Sequence, residues 1–134
     1  MSFGALTIES LWDKNQILQQ VRLPRTPPES LRPRDLLDAA HFLQSHLPPP
    51  TTQTSTRNRV LTRIRQIPWG QTLTYGTIAR ECATSPRAVG SICASNPHLI
   101  AIPCHRVVSA ENLGGYAAGP AWKSLILATE RFAL

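Results

Sequence analysis

The stretch TYGTIARECATSPRAVGSICASNP, residues 74–97, decides the fold because it encodes two short helices and the turn between them. We predict a first helix over residues 75–82 and a second over residues 87–94. Thr84-Ser85-Pro86 supplies a capping hydroxyl followed by proline, which is favoured in the first turn of a helix. Asn96-Pro97 ends the second helix. The pattern therefore predicts a helix-turn-helix.

The second predicted helix is rich in small residues, which include Ala88, Gly90, Ser91 and Ala94. Glycine inside an isolated helix costs about 1 kcal/mol relative to alanine. A helix that must approach another surface closely can justify that cost. The surface is either DNA or a neighbouring helix, and the sequence leaves both open.

The stretch LIAIPCHRVV, residues 99–108, carries the candidate nucleophile Cys104 directly before His105. A free thiol has a pKa of about 8.5, so it needs a base in order to react at neutral pH. Histidine can accept the thiol proton, and a carboxylate such as Glu130 can orient that histidine. Residues 99–102 are apolar and β-prone, and neighbours on an extended strand point to opposite faces. We therefore expect His105 to act on Cys104 through a water or a bend in the chain.

A lone Cys-His pair also fits a buried structural cysteine. The other two cysteines, Cys82 and Cys93, lack histidine neighbours and are predicted to pack in the core or between helices. Three cysteines without a C-x-x-C pair argue against a disulfide framework or a zinc site. They favour a reducing compartment in which the thiols stay free.

The N-terminal part of the chain predicts a β-hairpin and one helix. Residues 5–12 and 16–23 flank Asp13-Lys14-Asn15, and residues 32–47 carry leucines at helical spacing. The proline-rich stretch PPPTTQTST, residues 48–56, stops this helix and marks a domain boundary. We divide the chain into an N-terminal domain at 1–50, a linker at 51–56 and a C-terminal domain at 57–134.

Charge separates the same two parts. The chain has 134 residues and a formal net charge of +6. Five basic and five acidic residues cancel up to residue 56, whereas residues 57–134 hold nine basic and three acidic ones. Most of the basic residues are arginine, which suits phosphate, so the C-terminal part is predicted to bind a polyanion unless it is merely a soluble basic domain. The arginines between residues 57 and 65 surround a helical apolar stripe and face either solvent or phosphate.

Composition excludes several classes of protein. Hydrophobic residues make up 42% of the chain, which argues against disorder, and the apolar runs are too short to span a bilayer. The N-terminus lacks the basic and apolar regions of a secretory signal. We therefore expect a cytoplasmic protein without membrane association.

Pro103-Cys104-His105-Arg106-Val107-Val108 resembles the active-site signature of the 6-O-alkylguanine-DNA alkyltransferases, the methylated-DNA–protein-cysteine methyltransferases. The likeness covers about residues 56–132, while residues 1–50 resemble a reduced form of the family's variable N-terminal domain. It implies an α/β (α+β) fold: a winged-helix-like helix-turn-helix domain preceded by a short hairpin and a helix. The other matching segments follow the family's order: Thr74 to Ala79, Arg87 to Gly90, Asn96-Pro97, Gly115-Tyr116, and Lys123 with Glu130.

The resemblance implies direct DNA repair in a single turnover, without a cofactor or a metal. Cys104 corresponds to the alkyl acceptor, and His105 with Glu130 corresponds to the relay that ionises it through a water. Asn96 corresponds to the residue that ties the helix-turn-helix to the active-site loop. Tyr75 corresponds to the tyrosine that rotates the target nucleotide and helps to protonate the leaving guanine.

The implied partner is double-stranded DNA containing 6-O-alkylguanine, which a monomer binds in the minor groove. The implied location is the nucleoid in the cytoplasm of a prokaryote, or the nucleus of a eukaryote. Arg87 corresponds to a finger that fills the gap left by the flipped base. Ala118 replaces the glycine usual in the family's Tyr-x-Gly-Gly loop, so we expect a narrower pocket, and Thr129 replaces a histidine before the final glutamate. The remaining predicted DNA-binding residues are Ala88, Gly90, Ser91, Ala94 and Arg106. The predicted substrate pocket consists of Val107, Tyr116, Ala117, Ala118 and Lys123.

Three other functions stay open. An alkyltransferase-like protein binds alkylated guanine on the same scaffold without repairing it, but that class carries tryptophan in place of the reactive cysteine. A helix-turn-helix transcription regulator would use the same second helix, although the minor groove offers little base readout. A cysteine hydrolase would need an oxyanion hole and repeated turnover.

Overall fold

The computed structural model describes residues 1–49 and 55–131. Five α-helices and six short strands follow one another in these residues. The helices are α1 (Pro33–Gln44), α2 (Thr56–Arg65), α3 (Tyr75–Glu81), α4 (Pro86–Ala94) and α5 (Pro120–Arg131). The strands are β1 (Ser2–Phe3), β2 (Leu6–Thr7), β3 (Glu9–Trp12), β4 (Leu18–Arg22), β5 (Leu73–Thr74) and β6 (Val107–Val108).

The predicted N-terminal hairpin is confirmed. Strands β3 and β4 pair antiparallel, with Glu9 opposite Arg22. The Asp13 carboxylate holds the turn because it accepts hydrogen bonds from the backbone N–H groups of Asn15 and Ile17. A second, smaller antiparallel pair, β1–β2, precedes it and was not predicted from the sequence.

Helix α1 is fixed at its beginning by a buried carboxylate. Pro33 lies in the first turn, and Asp35 accepts hydrogen bonds from the Arg32 guanidinium and from the backbone of Ala5. The hydrogen bond from Arg32 lowers the pKa of Asp35 in spite of its burial. Leu36, Ala40 and Leu43 of α1 then face the interior, as their spacing predicts, whereas Leu37 is exposed.

The N-terminal elements share one hydrophobic core with the end of the chain. Leu18 and Val21 of β4 pack in the same cluster as Leu99, Trp122 and Ile126. Two hydrogen bonds reinforce the contact. Trp122 Nε1 donates to the carbonyl of Pro24 at 2.7 Å, and the N–H of Val21 donates to the carbonyl of Pro97 at 2.8 Å. The hairpin therefore supports the segment that leads to Cys104.

Of the predicted linker, residues 51–54 lie outside the described residues, whereas Ser55 caps α2 and Thr56 begins it.

The helix-turn-helix is confirmed as α3 and α4. Thr74 Oγ1 accepts from the N–H of Thr77 at 3.1 Å, and Ser85 Oγ accepts from that of Ala88 at 3.1 Å, so both helices begin at a capping hydroxyl. A second hydrophobic cluster joins them to α2 and to Cys104. Strand β5 pairs in parallel with β6, which joins the start of α3 to the segment that follows Cys104.

The arginines of α2 hold the helix-turn-helix in place. Arg57 donates to Ser95 Oγ at 2.7 Å, Arg59 donates to the carbonyl of Cys82, and Arg63 pairs with Glu81. These contacts join α2 to the ends of both α3 and α4. From the sequence we expected these arginines to face either solvent or phosphate. Their protein partners lie far away along the chain, so the sequence pattern does not reveal them.

The expectation of an extended strand at residues 99–102 is wrong. These residues form a turn in which Ile100 has a φ of 70°, and Cys104–Arg106 form a single 3₁₀ turn. The N–H of Ile102 bonds to the carbonyl of His98, and the Asn96 side chain bonds to that of Ile102. The run is apolar because it is buried in the core, and burial alone does not distinguish a strand from a turn.

Candidate active site

A cavity of about 860 Å³ opens between the helix-turn-helix and the loop at residues 109–117. Several predicted residues line it together, although they come from three separate segments of the chain. Tyr75 begins α3, Arg87 and Gly90 lie on α4, and Tyr116 and Ala117 belong to the loop. This volume is within the range of small-molecule pockets, so the cavity can admit an extruded base.

Cys104 is buried, with 2% of its surface exposed. The Asn96 side chain donates from Nδ2 to Cys104 Sγ at 3.3 Å and to the carbonyl of Ile102 at 3.2 Å. Its Oδ1 accepts from the N–H of His98 at 2.9 Å, which fixes the amide with its nitrogen toward the sulfur. This donor favours the thiolate, but the neighbouring Cys93 thiol and burial raise the pKa of Cys104 well above its usual range. Asn96 thus links the end of α4 to the candidate nucleophile, as the resemblance implied.

His105 and Glu130 form a buried pair, with 2.7 Å between Nε2 and Oε1. Burial lowers the pKa of His105 although Glu130 favours the charged form, so the imidazole is neutral near neutral pH. With Nε2 donating to the carboxylate, Nδ1 carries the lone pair, and no hydrogen-bonding partner for Nδ1 occurs among the described residues. The ring can therefore accept a proton at Nδ1 while Glu130 stabilises the resulting charge.

Glu130 stays ionised in the interior because two hydrogen-bond donors, His105 and Arg106, contact its carboxylate. Burial opposes ionisation, but hydrogen bonds from His105 and Arg106 outweigh it and lower the pKa of Glu130 to about 2. Arg106 Nη2 lies 2.8 Å from Glu130 Oε1, and Nη1 donates to the carbonyl of Ile67 at 2.7 Å. The guanidinium also packs over the Trp69 ring at 5.6 Å.

This arrangement corrects the assignment of Arg106 to DNA binding. Arg106 is 5% exposed and both ends of its guanidinium are bonded inside the protein. It cannot reach a phosphate without breaking the contact with Glu130. The signature motif places it beside the reactive residues, but the side chain supports Glu130 from within.

Lys123 braces the wall of the cavity from α5. Its Nζ is fully buried and donates to the carbonyls of Val107 at 2.6 Å and Gly115 at 2.9 Å. Nζ also lies 5.6 Å from the centre of the Tyr75 ring. Lys123 therefore holds β6, the loop and Tyr75 together. Val107 presents its backbone to Lys123 and buries its side chain in the core.

Gly114 sets the position of Tyr75. Its φ is 74°, and a Cβ at this position would come within 2.8 Å of Tyr75 Cε2 and 2.9 Å of the Tyr75 hydroxyl. Glycine is therefore required twice, by the backbone conformation and by the close approach of the ring.

The small residues of α4 face open space. A Cβ added at Gly90 would meet no atom of the described residues within 4 Å, so no neighbouring helix among them explains this glycine. Arg87, Ser91 and Ala94 are exposed and Ala88 is half-buried. The surface is free for an external partner, which removes one of the two explanations left open by the sequence.

Two placements differ from the sequence reasoning. Ala118 does not line the main cavity; it packs against the N-terminal core and faces a neighbouring groove, so the expected narrowing of the pocket is not found. Cys93, predicted to be a packing residue, lines the cavity and packs in the same hydrophobic cluster as Cys104. The helical spacing of Arg87, Gly90 and Cys93 was the signal that could have revealed it, since residues three apart share a face.

The described residues include no helix that is both long and apolar enough to cross a membrane. Nor do residues 1–49 and 55–131 bring three or more histidine, cysteine, aspartate or glutamate side chains together as metal ligands.

Known proteins resemble the chain in sequence. Methylated-DNA–protein-cysteine methyltransferase of Metallosphaera sedula is 47% identical over 76 residues, which cover 57% of this chain and 49% of that protein. The protein of the same name from Methanocaldococcus jannaschii is 51% identical over 73 residues, or 54% of this chain and 44% of that protein. The chain thus spans about half the length of these curated relatives.

Solved structures resemble nearly the whole fold. An O6-methylguanine DNA methyltransferase from Methanococcus jannaschii aligns with a TM-score of 0.63 at 29% identity, covering 97% of this chain and 91% of that one. A Mycobacterium tuberculosis OGT in complex with DNA aligns with a TM-score of 0.66 at 25% identity, covering 93% of both chains. The corresponding methyltransferase of Pyrococcus kodakaraensis, at 21% identity and a TM-score of 0.67, shares the fold and covers 93% of this chain and 98% of that one.

The sequence model of the DNA-binding domain of 6-O-methylguanine DNA methyltransferase matches residues 55–132, more than half of the chain. Those residues contain the helix-turn-helix, Cys104 and the His105–Glu130 pair. The chain therefore belongs to the 6-O-methylguanine DNA methyltransferase family.

Proposed function

We propose that this protein repairs DNA by moving the alkyl group of 6-O-alkylguanine, mainly methyl, irreversibly to Cys104. The observation that carries the proposal is the arrangement of Cys104. Cys104 receives a hydrogen bond from Asn96 at its sulfur and precedes a neutral histidine that is bonded to a carboxylate. It packs in one cluster with Cys93, which lines the cavity bordered by the helix-turn-helix.

The proton of the thiol passes to His105, directly or through a water. Glu130 holds Nε2 and stabilises the imidazolium, while Asn96 stabilises the thiolate. The thiolate attacks the alkyl carbon, a C–S bond forms and the C–O bond to guanine breaks. Tyr75, at the cavity wall, supplies a proton to the leaving base. The thioether product is stable, so each molecule reacts once and no cofactor is needed.

The target base must leave the stack in order to reach this sulfur. Extrusion costs a few kcal/mol, and less for a damaged pair. We assign Arg87, exposed on α4 at the cavity, to the gap left in the duplex. The small residues of α4 bring its backbone close to the minor groove, and the basic excess of residues 57–134 attracts the phosphates without reading sequence.

The partner in this proposal is double-stranded DNA with the alkylated guanine, and the protein acts as a monomer. The reaction places it with chromosomal DNA, in the cytoplasm of a prokaryote or the nucleus of a eukaryote. Residues 57–134 form the reactive domain, and residues 1–50 support it through the shared core.

Intact mass measurement after incubation with a methylated duplex tests the proposal. We expect one hydrogen to be replaced by one methyl group, on Cys104, and the reaction to stop at one equivalent. Cys104→Ala should bind the same duplex and gain no mass, whereas the control Cys82→Ala should react fully.

Other outcomes would replace the proposal. Binding of methylated duplex with no mass gain by the unaltered protein would indicate a lesion-binding protein. A footprint on one defined operator in undamaged DNA would indicate a regulator. Methyl uptake by Cys104→Ala would show that Cys104 is not the nucleophile.

A further inference from the structure

His98 bonds to both sides of the boundary between the N-terminal elements and the active-site segment. Its ring Nε2 lies 2.9 Å from the carbonyl oxygen of Leu18 in β4. Because a carbonyl oxygen only accepts, Nε2 carries the hydrogen and donates. The backbone N–H of His98 donates to Asn96 Oδ1 at 2.9 Å. The proposed reaction gives this histidine no role.

The β4 end of this link is firmly held. Leu18 is fully buried in the N-terminal core. Three residues further along β4, Val21 forms a parallel bridge with His98, and its N–H donates to the carbonyl of Pro97 at 2.8 Å. Strand β4 therefore fixes the two residues that directly follow Asn96.

The other end of the link reaches the candidate nucleophile. Asn96 is 4% exposed, and its Nδ2 donates to Cys104 Sγ at 3.3 Å. Turning the amide over would place Oδ1 against the sulfur, where its partial negative charge would repel the thiolate. It would also place the amide nitrogen against the N–H of His98, so that two donors would meet. The His98 N–H therefore holds the amide in the orientation that the thiolate requires.

Other charged and titratable groups also act on Cys104. The neighbouring Cys93 thiol and burial raise the pKa of Cys104, whereas the Asn96 hydrogen bond and the charge of Lys123 on α5 lower it. The remaining titratable groups near this sulfur are Tyr75 on α3, Tyr116 in the loop and the adjacent His105. A substitution at residue 98 leaves all of these groups in place.

The ring of His98 keeps its bond to Leu18 in either protonation state. Burial lowers the pKa of His98, and the charges of Arg57 and Arg65 lower it further, although the Leu18 carbonyl favours the charged form. The neutral ring that donates to this carbonyl and the charged ring both carry a hydrogen on Nε2. The link to Asn96 therefore does not depend on the titration of His98.

We propose that His98 is a positioning residue for alkyl transfer, which uses its bond to Leu18 to hold its own N–H against Asn96 and so keeps the Asn96 amide donating to Cys104. This inference rests on the proposed function. In the step itself, the Cys104 proton passes to His105, the thiolate forms the C–S bond, and guanine leaves with the electron pair of the C–O bond. His98 and Asn96 keep their hydrogens throughout.

The variants His98→Phe and His98→Gln and the control Gln44→Ala test this role in the full chain. Phenylalanine keeps a ring without a donor, whereas glutamine keeps a donor for the Leu18 carbonyl. Gln44 also joins the N-terminal elements to the turn at residues 99–102, because its Nε2 donates to the carbonyl of Ala101 at 3.3 Å. That bond does not involve Asn96.

Two rates are measured against pH for each variant. One is methyl transfer from a methylated duplex. The other is alkylation of Cys104 by iodoacetamide without DNA, with the modified residue assigned by peptide mapping. Urea unfolding shows whether each variant is folded, and His98→Ala removes the same donor if phenylalanine prevents folding.

We expect His98→Phe to raise the midpoint of both profiles by about one pH unit and to slow methyl transfer about tenfold at neutral pH, as loss of a hydrogen bond to a charged group would. His98→Gln should stay close to the unaltered protein, and Gln44→Ala should leave both midpoints unchanged. In an Asn96→Ala background, His98→Phe should add no further shift, because the two residues act through one contact.

An unchanged midpoint in His98→Phe, while the unaltered protein transfers methyl normally, would overturn this inference and leave the proposed function standing. Equal shifts in His98→Phe and His98→Gln, or a shift in Gln44→Ala, would also overturn it, since general loosening of the turn would then explain the effect. A further shift in the Asn96→Ala background would overturn it too, because His98 would then act by another route. If the unaltered protein transfers no methyl, the proposed function fails, and the iodoacetamide profile still tests the link from His98 to Cys104.

Discussion

Replacing Glu130 with glutamine removes one charge from the interior and leaves its shape almost unchanged. In the folded protein this carboxylate is 2% exposed and bonded to His105 and Arg106. Glutamine cannot balance the Arg106 charge, which would then be buried beside uncharged groups such as the Ile67 carbonyl and the Trp69 ring. We therefore expect a large loss of stability at neutral pH.

The magnitude follows from the pKa of Glu130, which falls from an ordinary 4.5 to about 2 on folding. A lowered carboxyl pKa stabilises the folded state above the unfolded pKa, and that stability is lost as the pH falls through the folded pKa. The shift corresponds to about 3 kcal/mol at pH 7, about 1 kcal/mol at pH 3, and almost nothing at pH 2. The value at neutral pH agrees with the 3–5 kcal/mol typical of removing one partner of a buried ion pair.

Urea unfolding, followed by the fluorescence of the three tryptophans, measures this difference between the two proteins at each pH. Asp35 also has a lowered pKa, but it is present in both proteins and cancels in the difference. Glu111→Gln, at an exposed position, serves as a matched control for loss of a negative charge. We expect the gap between the unaltered protein and Glu130→Gln to close between pH 4.5 and pH 2.

A gap that stays constant from pH 7 to pH 2 would refute this reasoning, because packing rather than charge would then account for the loss. A gap below about 1 kcal/mol at pH 7 would contradict the buried ion pair itself.

Three further substitutions probe the site. Gly90→Ala should raise the free energy of unfolding by about 1 kcal/mol, because the added Cβ would meet no atom of residues 1–49 and 55–131 within 4 Å. The same substitution should weaken binding to methylated duplex in a fluorescence-anisotropy titration, and unchanged binding would mean that α4 does not approach DNA closely. Gly114→Ala should slow methyl transfer, since its Cβ would lie 2.8 Å from Tyr75 Cε2, and a rate equal to that of the unaltered protein would show that the Tyr75 position is unimportant. Arg87→Ala should slow transfer from a methylated duplex more than from the same single strand, and equal losses on both would contradict its role in the base stack.

Short-range features of this fold could be predicted from the sequence. The helix-turn-helix depends on local capping by Thr74 and Ser85 and on Pro86, all within a few residues of the helices that they begin. The N-terminal hairpin depends equally on neighbouring residues, such as Asp13 and the backbone that it holds.

The expected strand at residues 99–102 was wrong because an apolar run reports burial and not backbone conformation. The turn found there depends on the side chain of Asn96 and on packing against the N-terminal hairpin. Neither partner can be recognised from the run itself.

The sequence by itself determined the family signature, the helix-turn-helix and the adjacency of Cys104 and His105, because each is encoded by residues close together in the chain. Only the tertiary structure decided that Arg106 supports Glu130, that Cys93 packs in one cluster with Cys104 and that Gly114 makes room for Tyr75. These contacts join segments that are distant in sequence or that lie on different elements. Hydrophobic pattern and propensity specify which residues are buried, whereas the packing of whole elements selects the atoms that each buried group meets.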